Sequence, residues 1–299
     1  MTAQIFDNTP CKLGEGPLWH PLREELFWFD IIGKTLYCRG KGKTKSWKFA
    51  EHVSAAGWID RNTLLVASET ALLRFDIEIG SSEILHPLEA DNPVTRSNDG
   101  RADPWGGFWI GTMGQNAESE AGAIYRYFQG ELRILYQHIT IPNAICFSPN
   151  KLFAYFADTA QSKIWRHDLN EKDGWPLGKP KVFLDFTDTG INPDGAVCDS
   201  EGSLWNAQWG AARLARYSPD GVLVDEINLE TDHITCPAIG GFDLKNIFAT
   251  SALQGLSDEQ VETQMNAGKT FVGKIKVPGQ RENQILIADT RFARKHHQN

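Results

Sequence analysis

Paired-cysteine motifs are missing from this chain. Its five cysteines (Cys11, Cys38, Cys146, Cys198 and Cys236) are odd in number, widely scattered and never in a CxxC spacing. That pattern suits buried thiols in a reducing compartment and argues against a structural zinc cage. Long apolar runs are missing too: no window approaches the roughly 18 uninterrupted apolar residues of a spanning helix. Met1 to Pro10 carries neither the basic nor the apolar stretch of a secretion signal. A soluble, cytoplasmic protein is therefore expected. Positive charge is also in deficit, with 30 Lys and Arg against 38 Asp and Glu and a formal net charge of −8. This leaves no electrostatic footprint for nucleic acid or for an anionic membrane surface. The expected partner is a small molecule, with no nucleic acid, no membrane and no obligatory protein partner.

Helical periodicity is scarce as well. Only Ser257 to Ala267 reads as a helix, with Ser257 as N-cap and Gln260 three residues on. What fills the 299 residues instead is a repeat: a short apolar strand, a turn, then a strand of the type Leu/Ile-x-Arg-aromatic. The first strands are Leu26 to Asp30, Leu64 to Ser68, Phe108 to Thr112, Ala154 to Asp158, Leu204 to Gln208 and Ile247 to Ser251, their last residues spaced by 38, 44, 46, 50 and 43. Period-2 alternation and Gly/Asn/Asp punctuation mark strands joined by turns. A period of about 40–50 with several strands per unit is the signature of a propeller blade. The expectation is an all-β chain, a single six-bladed β-propeller domain spanning 1–299 with a frayed tail from about 290. Closure requires a strand from the far end of the chain, for which Ala3 to Asp7 and Gln284 to Asp289 are candidates. His296 and His297 fall in the tail and are not expected to be ligands.

Each blade should begin with an innermost strand that ends near a small polar residue: His20, Asp60, Asp103, Ser148, Asp199 and Asp243. Counting back five positions gives Glu15, Ala55, Asn98, Asn143, Asp194 and Ala238. Residues of equal phase converge on a propeller axis however far apart they are in sequence. Glu15, Asn98, Asn143 and Asp194 should therefore meet, with the alanines leaving room. Taken singly, Gly14-Glu15-Gly16, Asn98-Asp99-Gly100 and Asp194-Gly195 are ordinary turn sequences. Their shared phase is what distinguishes them. Two carboxylates and amide oxygens form an all-oxygen set that favours a hard cation such as Ca2+, Mg2+ or Mn2+.

At these residues the chain resembles the SMP-30/gluconolactonase/luciferin-regenerating-enzyme family. The matching strings are Gly14 to Trp19, Arg96 to Pro104, Gly111-Thr112-Met113, Ile141 to Ala144, Ala157-Asp158-Thr159, Pro193-Asp194-Gly195 and Cys236 to Gly241. They stand in family order from about residue 13 to 277. The resemblance implies a six-bladed propeller and a sugar (aldono- or sugar-acid) lactonase of the gluconolactonase and regucalcin kind. It also implies one divalent cation (Ca2+, Mg2+, Mn2+ or Zn2+) held by Glu15, Asn143 and Asp194. Its substrate-contacting pair falls on Arg96 and Asn98. Three places beyond the Met of Gly-Thr-Met, regucalcin-like members carry an acidic substrate contact; here that position is Asn116, with Glu118 and Glu120 following. Asp194 is the candidate general base, since a carboxylate held through one oxygen keeps the other free.

Asp158 reads as a hydrogen-bond hub at a strand end, and His138 and His233 as structural histidines. Two alternatives belong to other classes. One is a phosphotriesterase of the diisopropylfluorophosphatase type, which also uses an oxygen-ligated axial cation. The other is a non-enzymatic calcium-binding propeller, because fold does not fix function.

Overall fold

The computed structural model describes residues 3–287, so the polar tail, its His296 and His297, and Ala288 and Asp289 of the proposed closing segment lie outside the described residues. The chain forms six four-stranded antiparallel sheets. Blade I consists of Gly14–His20, Glu25–Asp30, Thr35–Arg39 and Lys45–Lys48, from the axis outward. The innermost strands of blades II to VI are Val53–Trp58, Thr95–Ala102, Pro142–Phe147, Asn192–Cys198 and Ile234–Gly240. Each packs on the innermost strand of the next blade, and blade VI returns to blade I, which makes the ring a six-bladed β-propeller.

The expected first strands are the second strands of these blades, each within two residues of its predicted limits. Among the described residues closure is made by the N-terminal strand: Gln4–Asp7 becomes the outermost strand of blade VI, with Ile5 opposite Phe271. The second candidate plays another part, described below. The helix is shorter than its pattern, Asp258–Thr263, but it starts where expected, with a capping box between Ser257 and Gln260.

Alternation along the strands places apolar side chains in six clusters, one at every seam between neighbouring blades. Phe27, Phe29, Leu64 and Phe75 fill the seam of blades I and II, and Leu26, Trp28, Ala238 and Phe248 close the last seam between VI and I. Each fully buried aliphatic or Phe side chain contributes about 1.5–3 kcal/mol. The arginine of the recurring Leu/Ile-x-Arg-aromatic strand has a structural cause in two blades. Arg126 and Arg216 donate at 2.7 Å to Asp103 and Asp199, which end the innermost strands of their blades. The other oxygen of each aspartate caps the following turn.

All six innermost strands carry a β-bulge near their start, one extra residue relative to the partner strand. Bulges re-aim side chains and leave ladder groups unpaired. Here side chains satisfy those groups. The Ile145 amide donates to Asp99 at 2.8 Å, Asn206 Nδ2 donates to the Asp194 and Gly195 carbonyls, and the Thr250 hydroxyl donates to the Cys236 carbonyl. At the bulge of blade I, Gly16 has φ +53°, and a Cβ there would lie 2.1 Å from the Ser54 carbonyl oxygen.

Strand register corrects one part of the phase reading. The residues that follow the partners of Asp30, Ser68, Thr112, Asp158, Gln208 and Ser251 are Glu15, Ser54, Asn98, Asn143, Asp194 and Thr235, each at the start of its bulge. Ala55 and Ala238 are therefore not the axial equivalents. Asp60 and Asp243 stand farther along from the bulge than the other four landmarks, so a fixed backward count of five falls short in blades II and VI. Ser54 and Thr235 spend their hydroxyls on neighbours, Ser97 Oγ and the Gly14 carbonyl.

The opposite end of the channel is crossed by residues 279–287. This strap bonds to Leu244 of blade VI, Cys198 of V, Phe147 of IV, Ala102 of III and Trp58 of II. Its Glu282 pairs with Arg101, whose guanidinium also reaches the Ala196 and Pro237 carbonyls. Burial alone would lower the Arg101 pKa, but Glu282 and the other acidic groups around it, Asp99 among them, together outweigh it and hold the group charged. Removing one partner leaves an uncompensated buried charge. Glu282→Gln is therefore expected to cost about 3–5 kcal/mol in denaturant unfolding, and the paired change Arg101→Met with Glu282→Leu much less. Equal losses in the two proteins would show that the strap is held by its backbone bonds rather than by the ion pair.

Candidate active site

The bulges turn Glu15, Asn98, Asn143 and Asp194 into one cavity of about 420 Å3 at the mouth opposite the strap, which Arg96, two residues ahead of Asn98 and paired with Met113, lines as well. All five side chains are buried, and the charged side chains lining the cavity are Glu15, Arg96 and Asp194. The outer wall is largely apolar, with Leu13, Met113, Ile141 and Trp209 among its members. Trp209 stacks on His233 with ring centroids 4.0 Å apart, and His233 Nδ1 lies 2.8 Å from the Gln254 carbonyl oxygen. That arrangement makes His233 a support of the wall.

Two aspartates at second-strand ends set the entry of two site strands. Asp158 accepts from the amides of Thr140, Ile141 and Ala160 and from Gln161 Nε2, so the chain enters Pro142–Phe147 at a fixed angle. Asp30 does the same ahead of Glu15, accepting from Lys12, Leu13 and Gly33.

The polar side chains form a chain of hydrogen bonds running in one direction. Arg96 Nη1 donates to Asn98 Oδ1 at 2.9 Å. Asn98 Nδ2 donates to Asn143 Oδ1 at 3.1 Å and to the Pro142 carbonyl at 2.9 Å. Asn143 Nδ2 donates to Thr159 Oγ1 at 2.8 Å, and the Thr159 hydroxyl donates to the Pro193 carbonyl at 2.6 Å. The run crosses from blade III to blade V and ends on the residue before Asp194.

Negative charge is concentrated on the axis. Burial first, then Asp99, pushes Glu15 up to about 8, against the opposing pull of the Gly16 amide and Arg96. Asp194 is raised well above the usual carboxylate range by burial, then by Glu15 and Asp99. Burial raises Asp99 to about 6 in spite of the Ile145 amide and Arg101. Arg96 is lowered to about 10 by burial, with Glu15 and Glu69 opposing. Along the axis the four carboxyls of Glu15, Asp99, Asp194 and Glu282 face only the two guanidiniums of Arg96 and Arg101, so full ionisation would leave two negative charges uncompensated, and the raised Glu15 and Asp194 hold protons instead. A divalent cation would take their place.

The donors fit such an ion. Glu15 Oε2 is engaged by the Gly16 amide at 2.9 Å, while the other Glu15 oxygen, the Asp194 carboxylate and Asn143 Oδ1 are oxygens of the type hard cations take and would be the ones to hold an ion here. Among the described residues no group of three or more His, Cys, Asp or Glu side chains stands at metal-holding spacing, so a cation here depends on an amide oxygen.

Asn116 is exposed and donates to Glu118 through both its amide and its side chain. Ala117, not Asn116, Glu118 or Glu120, lines the cavity from this loop. His138 is exposed on the outermost strand of blade III. The residues that inspection of the sequence passed over are Thr159, Asn192, Gln254 and Gly255, all on the cavity wall. Thr159 alone had a visible signal, its place next to the hub Asp158.

The chain is similar along most of its length to known proteins. A 6-deoxy-6-sulfogluconolactonase of Pseudomonas putida is 32% identical over 284 residues, covering 93% of this chain and 96% of that protein. An L-arabinolactonase of Azospirillum brasilense is 34% identical over 299 residues, covering 97% and 95%. Among solved structures, a calcium-binding protein, regucalcin, from Agrobacterium tumefaciens str. C58 superposes with a TM-score of 0.93 at 37% identity, covering 95% of this chain and 97% of its own. A sequence profile described as an SMP-30/gluconolactonase/LRE-like region matches residues 13–253. This chain belongs to the SMP-30/gluconolactonase/LRE-like family.

Proposed function

We propose that the protein hydrolyses a sugar lactone, an aldono- or sugar-acid lactone, to the open-chain acid, with one divalent cation held by Glu15, Asn143 and Asp194. The observation that carries this reading is the meeting of the Glu15 and Asp194 carboxyls and an oriented amide oxygen beside a guanidinium in one cavity. The two relatives named as lactonases support the reaction class. A bound cation of this kind polarises a carbonyl and makes water more acidic, each effect worth several kcal/mol of barrier.

The rest falls to the chain. Arg96 and Asn98 hold the lactone so that its carbonyl carbon faces the attacking water, because placement sets much of the rate. Asp194 takes a proton from that water as the new C–O bond forms. The acyl–oxygen bond of the ring then breaks, and the ring oxygen leaves as the hydroxyl of the open acid on receiving the proton that Asp194 had taken. The apolar walls of Met113, Ile141 and Trp209 exclude bulk water and face the C–H surfaces of the sugar. An Arg96 fork suits a substrate carboxylate bidentately, in keeping with a sugar-acid lactone. The five buried free thiols support a reducing, cytoplasmic setting.

Similarity to the calcium-binding regucalcin of Agrobacterium tumefaciens favours a second reading, a calcium-binding propeller without hydrolytic activity. Tight Ca2+ binding with no turnover on any lactone or organophosphate would favour it over the lactonase.

Asp194→Asn, assayed at verified full metal occupancy, is expected to lower kcat by about 10²–10⁴, the usual contribution of general base catalysis; near-normal turnover would remove Asp194 from that role. Glu15→Gln should act earlier, weakening cation binding so that excess metal restores most of the rate. Arg96→Lys keeps the charge but loses the planar fork. It is expected to raise KM more for a lactone bearing a carboxylate than for a neutral one, and equal effects on both would argue against a sugar-acid substrate.

A further inference from the structure

We infer that Thr159 is a positioning residue for cation binding: its hydroxyl takes the NH2 end of the Asn143 amide and so helps to keep the amide oxygen available to a cation. The inference rests on the reading of Asn143 as a ligand. A side-chain amide presents either an oxygen or an NH2 group, and only the oxygen can bind a cation. The choice is therefore a matter of neighbouring polarity.

That polarity is fixed at both ends of the hydrogen-bond chain. The Pro193 carbonyl can only accept, so the single Thr159 proton points there, at 2.6 Å. Only lone pairs are then left for Asn143, and they take its Nδ2 at 2.8 Å. At the other end a guanidinium can only donate, so Asn98 turns its oxygen to Arg96 and its NH2 to Asn143 Oδ1. Asn143 thus receives the same instruction from two sides. In the flipped orientation its oxygen would meet a hydroxyl with no proton to give, and its NH2 would meet the NH2 of Asn98.

Thr159 is also the only member of the hydrogen-bond chain that reaches blade V. Its bond to the residue before Asp194 ties the ligand strand of blade IV to that of blade V and helps to set the separation of the two donors. The position of Thr159 does not depend on its own hydroxyl. It opens the turn Thr159–Gln161, whose N-cap Asp158 accepts from Ala160, and its amide donates to the Ile141 carbonyl at 3.0 Å. Replacing the hydroxyl by a methyl therefore leaves the turn in place and removes only the instruction to Asn143 and the tie to Pro193.

The test is a calorimetric titration of chelator-stripped protein with Mn2+ alone, comparing wild type, Thr159→Val, Thr159→Ser and Asn143→Ala, with Tm recorded for each. Thr159→Val is expected to weaken Mn2+ by roughly 10–100-fold, the range for residues that orient metal ligands. Thr159→Ser, which keeps the hydroxyl, should return close to wild-type affinity. Wild-type affinity in Thr159→Val overturns the inference, and so does equal weakening by Val and Ser, which would make the effect one of packing. Should the Val variant fail to fold, Thr159→Ala against Thr159→Ser reads the same contrast. Asn143→Ala separates the two layers of the argument. If it leaves Mn2+ affinity unchanged, the ligand reading fails. If it weakens Mn2+ while Thr159→Val does not, the role of Thr159 fails alone.

Discussion

One extra residue near the start of each innermost strand is the constraint on which the site depends. Without the bulge, period-2 alternation would send successive side chains to the two faces of the blade, toward the neighbouring blades. With it, Glu15, Asn98, Asn143 and Asp194 turn into the same cavity, and the ladder groups it frees are taken up by Asp99, Asn206 and Thr250. Gly16 and Gly195 are part of the same arrangement, since a side chain at either would run into the neighbouring blade, at the Ser54 carbonyl or the Cys236 thiol. The propeller supplies convergence, and the bulge supplies direction.

Two further constraints act on the converged residues. Polarity orders them, because a hydrogen-bond chain that begins on a guanidinium and ends on a backbone carbonyl has only one self-consistent orientation for both amides in between. Charge loads them, because the axis holds more carboxylates than guanidiniums, and burial raises Glu15, Asp99 and Asp194. Protein interiors do not hold such an imbalance without proton uptake or a counter-ion. The strap at the opposite end solves the same problem locally by bringing Glu282 to Arg101, so that the channel floor is closed and the excess of carboxyls is confined to the mouth.

Much of this was legible in the sequence. The blades could be counted because their second strands are short, apolar and evenly spaced, and the four converging donors could be found because each stands five residues before a polar turn residue. The same count misassigned blades II and VI, where the distance from bulge to turn is longer and the equivalents are Ser54 and Thr235. Turn length is a local accident that only the strand register resolves. The strap escaped notice for a different reason: Glu282 lies in a polar run that looks solvated, and its partner Arg101 is 181 residues away. Thr159 was visible as part of a string but not as a link, because its bonds join three strands whose register no periodicity encodes. In the loop around Asn116, the sequence pointed to three polar candidates for the cavity wall, whereas Ala117 is the residue that lines it; side-chain direction in an irregular loop has no period to read.

The central claim is that a divalent cation at this mouth is needed to open a lactone ring. It is tested most directly by initial rates of ring opening on a panel of aldonolactones and sugar-acid lactones, using chelator-stripped protein with Mg2+, Mn2+, Ca2+ and Zn2+ restored one at a time. Stripped protein should be inactive toward every lactone, and at least one cation should restore turnover on one of them. Full activity in stripped protein, or none with any cation, would contradict it.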